Sequence, residues 1–258
     1  MSNQPIVTEW SDRNQAKDAV RNTVWAILQH AHACRRDPVG HIPNFIGAEQ
    51  AAERLTQLPI WQQAQVIKCN PDSPQMPVRL RALQAGKRLY MAVPRLTRKH
   101  CFVELTAEHL HQQNVPLEQA AQMKQALIYG RLVSFAEMQP IDLVIVGCVA
   151  AADDGGRTGK GAGFADLELA MLQQFGLVSP TTAIATTVHA LQIADSVPLE
   201  PHDWPLDWIV TPETVIQTHS NFPRPTNINW QALQPKQLQK IPILRQLKRE
   251  YESCEIEN

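Results

Sequence analysis

The sequence predicts an α/β fold built on a doubly wound, mostly parallel sheet. Short apolar runs alternate with amphipathic helical segments through the middle of the chain. One run, "IDLVIVGCVAAA", is apolar almost throughout, as strands covered on both faces are. A glycine-rich stretch follows it and opens onto another helical pattern. Ligands of such sheets bind at the carboxyl edge of the strands, so that stretch falls where a binding loop is expected.

From Ser11 onward, Val20, Val24, Ile27, Leu28 and Ala31 share one helical face, with Ser11 or Asp12 as the expected cap. Lys17 and Arg21 fall at the edge of that apolar stripe. Their stems snorkel along the packed surface, or their heads form an anion site under the helix. A second helix is expected from Ala48 to about Leu58, ended by Pro59. "AQVIKCN" reads as a short strand before the turn-rich "NPDSPQMP". "VRLRALQAGKRLYMAVPRL" reads as a helix stopped at Gly86, then a buried strand through Val93. "CFVELT" is a further strand, and "PLEQAAQMKQALIYG" one helix from Pro116 toward Gly130. Beyond the glycines come a helix near Phe164 to Phe175 and the strands "TTAIATTV" and "DWIVTP". The tail "KQLQKIPILRQLKREYE" reads as a peripheral helical appendage. The expected division is a domain over 1–218 and a C-terminal extension over 219–258 that packs on it or trails from it.

With 258 residues and 44% hydrophobic content, the chain can bury a sizeable core. A net charge of -1 gives no general pull toward nucleic acid or anionic lipid, so neither is expected as a partner. Cys34, Cys69, Cys101, Cys148 and Cys254 form no CxxC pair, which argues for reduced thiols over a disulfide framework or a zinc site. No apolar run approaches the ~20 residues of a bilayer span, and the polar start lacks a signal-peptide profile. A soluble, cytoplasmic, monomeric protein is expected.

In "DDGGRTGKGAGFADLELA", residues 153–170, Gly156, Gly159, Gly161 and Gly163 flank Arg157 and Lys160. Such a loop can aim backbone N–H groups at an anion, with a helix N-terminus and two full charges in support. The bottom-up reading is phosphate or nucleotide binding; the alternative is a mobile or hairpin-like turn. Neither GxxxxGK[ST] nor GxGxxG fits, since Asp154 stands where the first would need Gly and the glycines alternate.

"GGRTGKGAGFAD" resembles the GxRxGxGxGYYD signature of the 5-formyltetrahydrofolate cyclo-ligase (methenyltetrahydrofolate synthetase) family. The Lys17-x3-Arg21 pair, "GKRLYMAVPR", Gln192, His202, Asp203, Asp207 and "IVTP" also resemble it in order and spacing. The likeness covers roughly residues 15–217. "RTGKGAGFADLELAM" and "TTVHALQ" are most similar to the methenyltetrahydrofolate synthetase domain-containing subgroup. The resemblance implies a Rossmann-like fold of the NagB/RpiA/CoA transferase kind, with ATP and Mg2+ as cofactors and a reduced folate as substrate. It also implies conversion of 5-formyltetrahydrofolate to 5,10-methenyltetrahydrofolate.

Carried over by position, Arg157, Gly159, Lys160, Gly161, Gly163 and Phe164 would contact ATP, with Lys17 and Arg21 reaching it from the first helix. Arg157, Lys160 and Asp166 would be catalytic, and Phe164 would contact the folate; the folate-binding Glu expected after "QVIK" has no exact counterpart, and Asp72, the nearest acid, would take its place with a shorter reach. Asp166 is the first magnesium candidate, or else a helix first-turn acid, and Asp154 the second. Two departures stand out: Ala165 replaces the second aromatic, and Ala152 replaces an acid five positions before Arg157. A non-catalytic nucleotide-binding protein, regulatory or RNA-binding, is the alternative function. On this reading Arg157→Ala weakens ATP binding more than folding. His189 and the His202-Asp203 pair are a further acid–base candidate, Trp204 and Trp208 are expected to pack the sheet edge, and Arg79, Arg81, Lys87, Arg88 and Arg95 read as a solvated basic face.

Overall fold

The computed structural model describes residues 14–96, 100–233 and 235–256. The chain runs α1 (Gln15–His30), α2 (Ala48–Thr56), α3 (Pro59–Gln63), β1 (Val66–Cys69), α4 (Met76–Gln84), β2 (Arg88–Ala92) and β3 (Phe102–Leu105). Next come α5 (Ala107–Gln112), α6 (Leu117–Ala120), α7 (Met123–Tyr129), β4 (Arg131–Val133), β5 (Leu143–Val146), β6 (Ala150–Ala151) and β7 (Arg157–Thr158). It ends with α8 (Phe164–Gln174), β8 (Ala183–Thr187), β9 (Trp208–Val210), β10 (Val215–Gln217), α9 (Pro235–Lys240) and α10 (Pro242–Ile256).

Eight strands form one sheet in the order β10-β9-β8-β5-β1-β2-β3-β4. The central five, β9, β8, β5, β1 and β2, are parallel, and β10, β3 and β4 add antiparallel edges. The chain moves outward from β1 through β2 to β4, then returns to β5 on the other side of β1. That reversal opens a crevice at the carboxyl ends of β1 and β5. Alternate residues of β5 serve both faces: Leu143 and Ile145 join the cluster containing Leu55, Val78 and Leu83, while Val144 and Val146 join Leu169, Leu172 and Leu244.

Several elements differ from the sequence expectations. Ser11 and Asp12 lie outside the described residues, and α1 is capped by Asn14, whose Oδ1 accepts the Lys17 N–H at 3.1 Å. The helix expected from Pro116 to Gly130 is broken into α6 and α7, and at the break the Ala121 carbonyl accepts from the buried Arg79 Nε at 2.8 Å. "IDLVIVGCVAAA" is not one strand: β5 stops at Val146, and Ala150–Ala151 pair antiparallel with Arg157–Thr158. Val215–Gln217 is an edge strand that the sequence reading passed over. The tail expected at the periphery buries Ile241, Leu244 and Leu247 in the same cluster as the sheet and α8.

The basic middle segment is a solvated face only in part: Arg95 is exposed and Arg81 and Arg88 are half-buried, but Arg79 and Lys87 are buried. Arg79 is 1% exposed and donates to the carbonyls of Asn70 at 2.5 Å and Asp72 at 3.0 Å, and Lys87 donates to that of Ala64 at 2.5 Å. Arg81 pairs with Glu53. Arg88 pairs with Glu104, which also accepts from Arg131 at 2.9 Å and Tyr90 at 3.2 Å, so one carboxylate ties β2, β3 and β4 together. Burial works to raise the Glu104 carboxyl, but the hydrogen bonds and charges of Arg131 and Arg88 leave it below the usual carboxylate range. A lowered carboxyl stabilises the fold above its unfolded pKa of about 4.3 and loses that contribution as pH falls through its folded value. Glu104→Gln is therefore expected to unfold earlier in urea than wild type at pH 7. The difference should fade below about pH 4, and a pH-independent difference would refute the ionic explanation.

Burial raises the thiols of Cys34 and Cys69 to about 11 and that of Cys101 to about 12, leaving them protonated and inert at neutral pH. With Cys148 they are free. Among the described residues no helix is long and apolar enough to cross a membrane.

Candidate active site

The glycine-rich segment is not a simple strand-to-helix loop, and part of it takes the hairpin form of the alternative reading. Its first half is a hairpin, β6 against β7, and only residues 159–163 form the loop that enters α8. Gly161 and Gly163 have φ of +99° and +68°, left-handed backbone that a Cβ would strain, and Gly163 is the N-cap of α8. Hairpin and loop together fold the segment over the crevice.

Four cations named from the sequence come to this region, each held by a partner. Arg21 is 3% exposed and donates Nε–H to the Gly159 carbonyl at 2.7 Å, with Asp18 2.5 Å from its Nη1. Lys17 pairs with the buried Asp203 and with Glu200 at 3.1 Å. The two are therefore not snorkelling to solvent, and Arg21 touches the loop itself. Lys160 is half-exposed and lies 3.2 Å from Asp72 Oδ1. Since Asp72 follows β1 and Lys160 follows the β6–β7 hairpin beyond β5, this pair spans the crevice between the two central strands.

Arg157 is buried beneath the loop. Its Nη2 pairs with Asp166 Oδ1 and its Nε donates to the Trp204 carbonyl at 2.9 Å, while the Trp204 N–H donates back to Asp166 Oδ1 at 2.9 Å. Burial pushes the Asp166 carboxyl above the usual range against the pull of Arg157, and the Asp203 carboxylate adds to the rise. Asp154 Oδ1 accepts the Gly156 N–H at 2.8 Å and so closes the hairpin turn. Among the described residues no three His, Cys, Asp or Glu side chains gather as a metal cage. Ala152 sits in the apolar cluster under α1, where an ionised acid would be costly. Phe164 is half-buried and packs against the main core.

Other candidates resolve into supports. His189 caps a short 3-10 turn, Nδ1 accepting the Leu191 N–H at 3.1 Å, and its ring meets Phe45 edge-on. Gln192 holds the Cys148 carbonyl at 2.9 Å just past β5, and Asp207 ties the Ile184 N–H at 2.7 Å to Arg224 at 2.5 Å. Trp204 is 1% exposed.

The sequence reading missed two groups. Gln75 is fully buried where α4 begins, and a Cβ on Gly147 would lie 2.9 Å from its Oε1 and 3.1 Å from Asp72 Oδ2. Two acceptors thus converge over a glycine at the end of β5, and among the described residues Gln75 Oε1 has no hydrogen-bond partner. Lys68, also fully buried, pairs with Glu168 of α8 at 2.5 Å and with Asn70 at 2.5 Å. A lysine inside an apolar strand was the available signal for that second group; nothing in the sequence distinguished Gln75.

Comparison with known proteins bears on the same arrangement. The sequence profile described as the 5-formyltetrahydrofolate cyclo-ligase family matches residues 13–212. Proteins named methenyltetrahydrofolate synthase domain-containing protein are similar: that of Bos taurus is 38% identical over 244 residues, covering 93% of this chain. The Homo sapiens counterpart is 36% identical over 238 residues, covering 90% of it. The chain spans only 63% and 61% of the length of those two relatives. In fold it resembles the NMR structure of 5,10-methenyltetrahydrofolate synthetase from Aquifex aeolicus, with TM-score 0.50 and 16% identity over 80% of this chain and 93% of that one. The profile match runs unbroken from the first described helix, past the crevice and its loop, to the end of β9, and this chain belongs to the 5-formyltetrahydrofolate cyclo-ligase family.

Proposed function

We propose that the chain is an ATP-dependent ligase that converts 5-formyltetrahydrofolate to 5,10-methenyltetrahydrofolate. The observation that carries this reading is the Lys160–Asp72 ion pair across the crevice. It brings the nucleotide-type loop and the acid expected to hold the second substrate within 3.2 Å of each other, as transfer between two bound molecules requires.

The residues fit a polyphosphate. The loop offers backbone N–H groups at the start of α8, and Lys160 and Arg21 lie on or beside it. Arg157 acts from below, holding Asp166 and the Trp204 backbone so that the hairpin keeps its shape. Asp72 and Gln75 present acceptors over Gly147, which suits the donor edge of an amino-pyrimidinone ring such as that of a pterin. The formyl oxygen attacks the γ-phosphorus of ATP and releases ADP. N10 then attacks the activated formyl carbon and gives up its proton to solvent, and phosphate departs with the C–O bond as the ring closes. The protein's contribution is alignment and stabilisation of charge on the transferred group.

Mg2+ bound with the nucleotide would neutralise phosphate charge, held through phosphate oxygens and water with at most one or two carboxylates, as that ion prefers. Asp166 and Asp154 remain the candidates for that contact, each already holding a protein donor.

The test is an absorbance assay for methenyltetrahydrofolate with 5-formyltetrahydrofolate and magnesium, with and without ATP. ATP-dependent formation is the expected result. No turnover while ATP still binds would assign the chain to the non-catalytic alternative.

A further inference from the structure

The loop is held at both ends by side chains from opposite termini of the chain. At its start Arg21 of α1 takes the Gly159 carbonyl at 2.7 Å, and at its end the Gln237 amide of α9 donates to the Ala162 carbonyl at 3.3 Å. Gln237 is 8% exposed, and a Cβ added at Gly163 would lie 3.7 Å from its Nε2. The segment bearing it is anchored, since Ile241, Leu244 and Leu247 just beyond are packed in the core with Leu167, Leu169 and Met171 of α8.

In a planar trans peptide the C=O and N–H point in opposite directions. Fixing the Ala162 carbonyl toward α9 therefore turns the Gly163 N–H away from it. Fixing the Gly159 carbonyl toward α1 turns the Lys160 N–H away from that helix. Among the described residues neither N–H donates to a protein acceptor. Two backbone donors are thus oriented and left for an anion, one of them at the positive end of α8.

We propose that Gln237 is a positioning residue for the nucleotide loop, and that the segment carrying it, outside the 13–212 family match, completes the ATP site. This rests on the function proposed above and extends it to a part of the chain beyond the family profile. Gln237 acts through the loop backbone; it shapes affinity for the nucleotide and leaves the chemical step to others.

The test uses the full chain with Gln237→Met, which keeps length and apolar volume but removes the donor, and Gln237→Glu, which places an acceptor against a carbonyl. Both are expected to raise the KM for ATP, Gln237→Met by about threefold to tenfold, the worth of one neutral hydrogen bond. The kcat at saturating ATP and the KM for 5-formyltetrahydrofolate should stay unchanged, and hydrogen exchange should speed up at the amides of residues 160–163. Unchanged ATP affinity with unchanged loop exchange overturns the proposal, and so does an equal loss in kcat and in both KM values. Wild-type protein that binds no ATP by calorimetry would instead defeat the underlying functional reading and this proposal with it. Wild type that binds ATP, with a Gln237→Met variant indistinguishable from it, defeats this proposal alone.

Discussion

Replacing Arg157 with alanine is expected to lower the unfolding free energy by about 3–5 kcal/mol, the usual cost of removing one partner from a buried ion pair. The sequence alone predicted the opposite emphasis, a charge on a flexible loop whose removal weakens ATP binding and spares the fold. The structure places the guanidinium 3% exposed, between Asp166 and the Trp204 backbone. Deleting it strands a buried carboxylate and leaves a buried carbonyl without its donor. Urea unfolding at pH 7 measures this, and a loss under about 1 kcal/mol would show that solvent or another group replaces the pair. In the double variant Arg157→Met with Asp166→Leu, much of the loss should return, because both charges leave the interior together. Activity lost by Arg157→Ala then reports a collapsed hairpin as much as a missing phosphate contact.

Lys160→Met is expected to have the converse profile. Its side chain is 47% exposed and its pairing with Asp72 bridges a solvent-accessible crevice, so stability should change by no more than about 0.5 kcal/mol. The kcat/KM for ATP should fall by roughly 10²–10³, the scale seen when one preorganised donor to a developing charge is removed. Asp72→Asn, on the other side of the pair, should raise the KM for the folate substrate more than that for ATP. Steady-state kinetics with each substrate varied in turn separates the two. If Lys160→Met retained full activity, Lys160 would have no catalytic role, and its ion pair would be only a surface contact.

Local sequence carried much of the architecture. The apolar runs at Val66–Cys69, Leu143–Val146 and Ala183–Thr187 became the central parallel strands, because a strand covered on both faces has no polar alternative. Gly163 opens α8, as the glycine-to-helix transition predicted. Arg157 and Lys160 were legible because they stand among the glycines, whereas Lys17 and Arg21, far upstream in the first helix, joined them only through the family resemblance.

Only the tertiary structure decided which of those charges are buried, what each one holds, and which distant residues join them. Arg79 was read as solvated and is buried, since a guanidinium's exposure depends on whether other segments bring carbonyls to it. Gln75, Lys68 and Gln237 were not singled out, because an amide or amine becomes a site residue only when the fold supplies its partner. Those partners lie far away in sequence: Thr187 for Gln75, Glu168 for Lys68, and Ala162 for Gln237. Periodicity records which residues leave water. The direction of a hydrogen bond across 75 or 100 residues is fixed by the packing of the elements that carry its two ends.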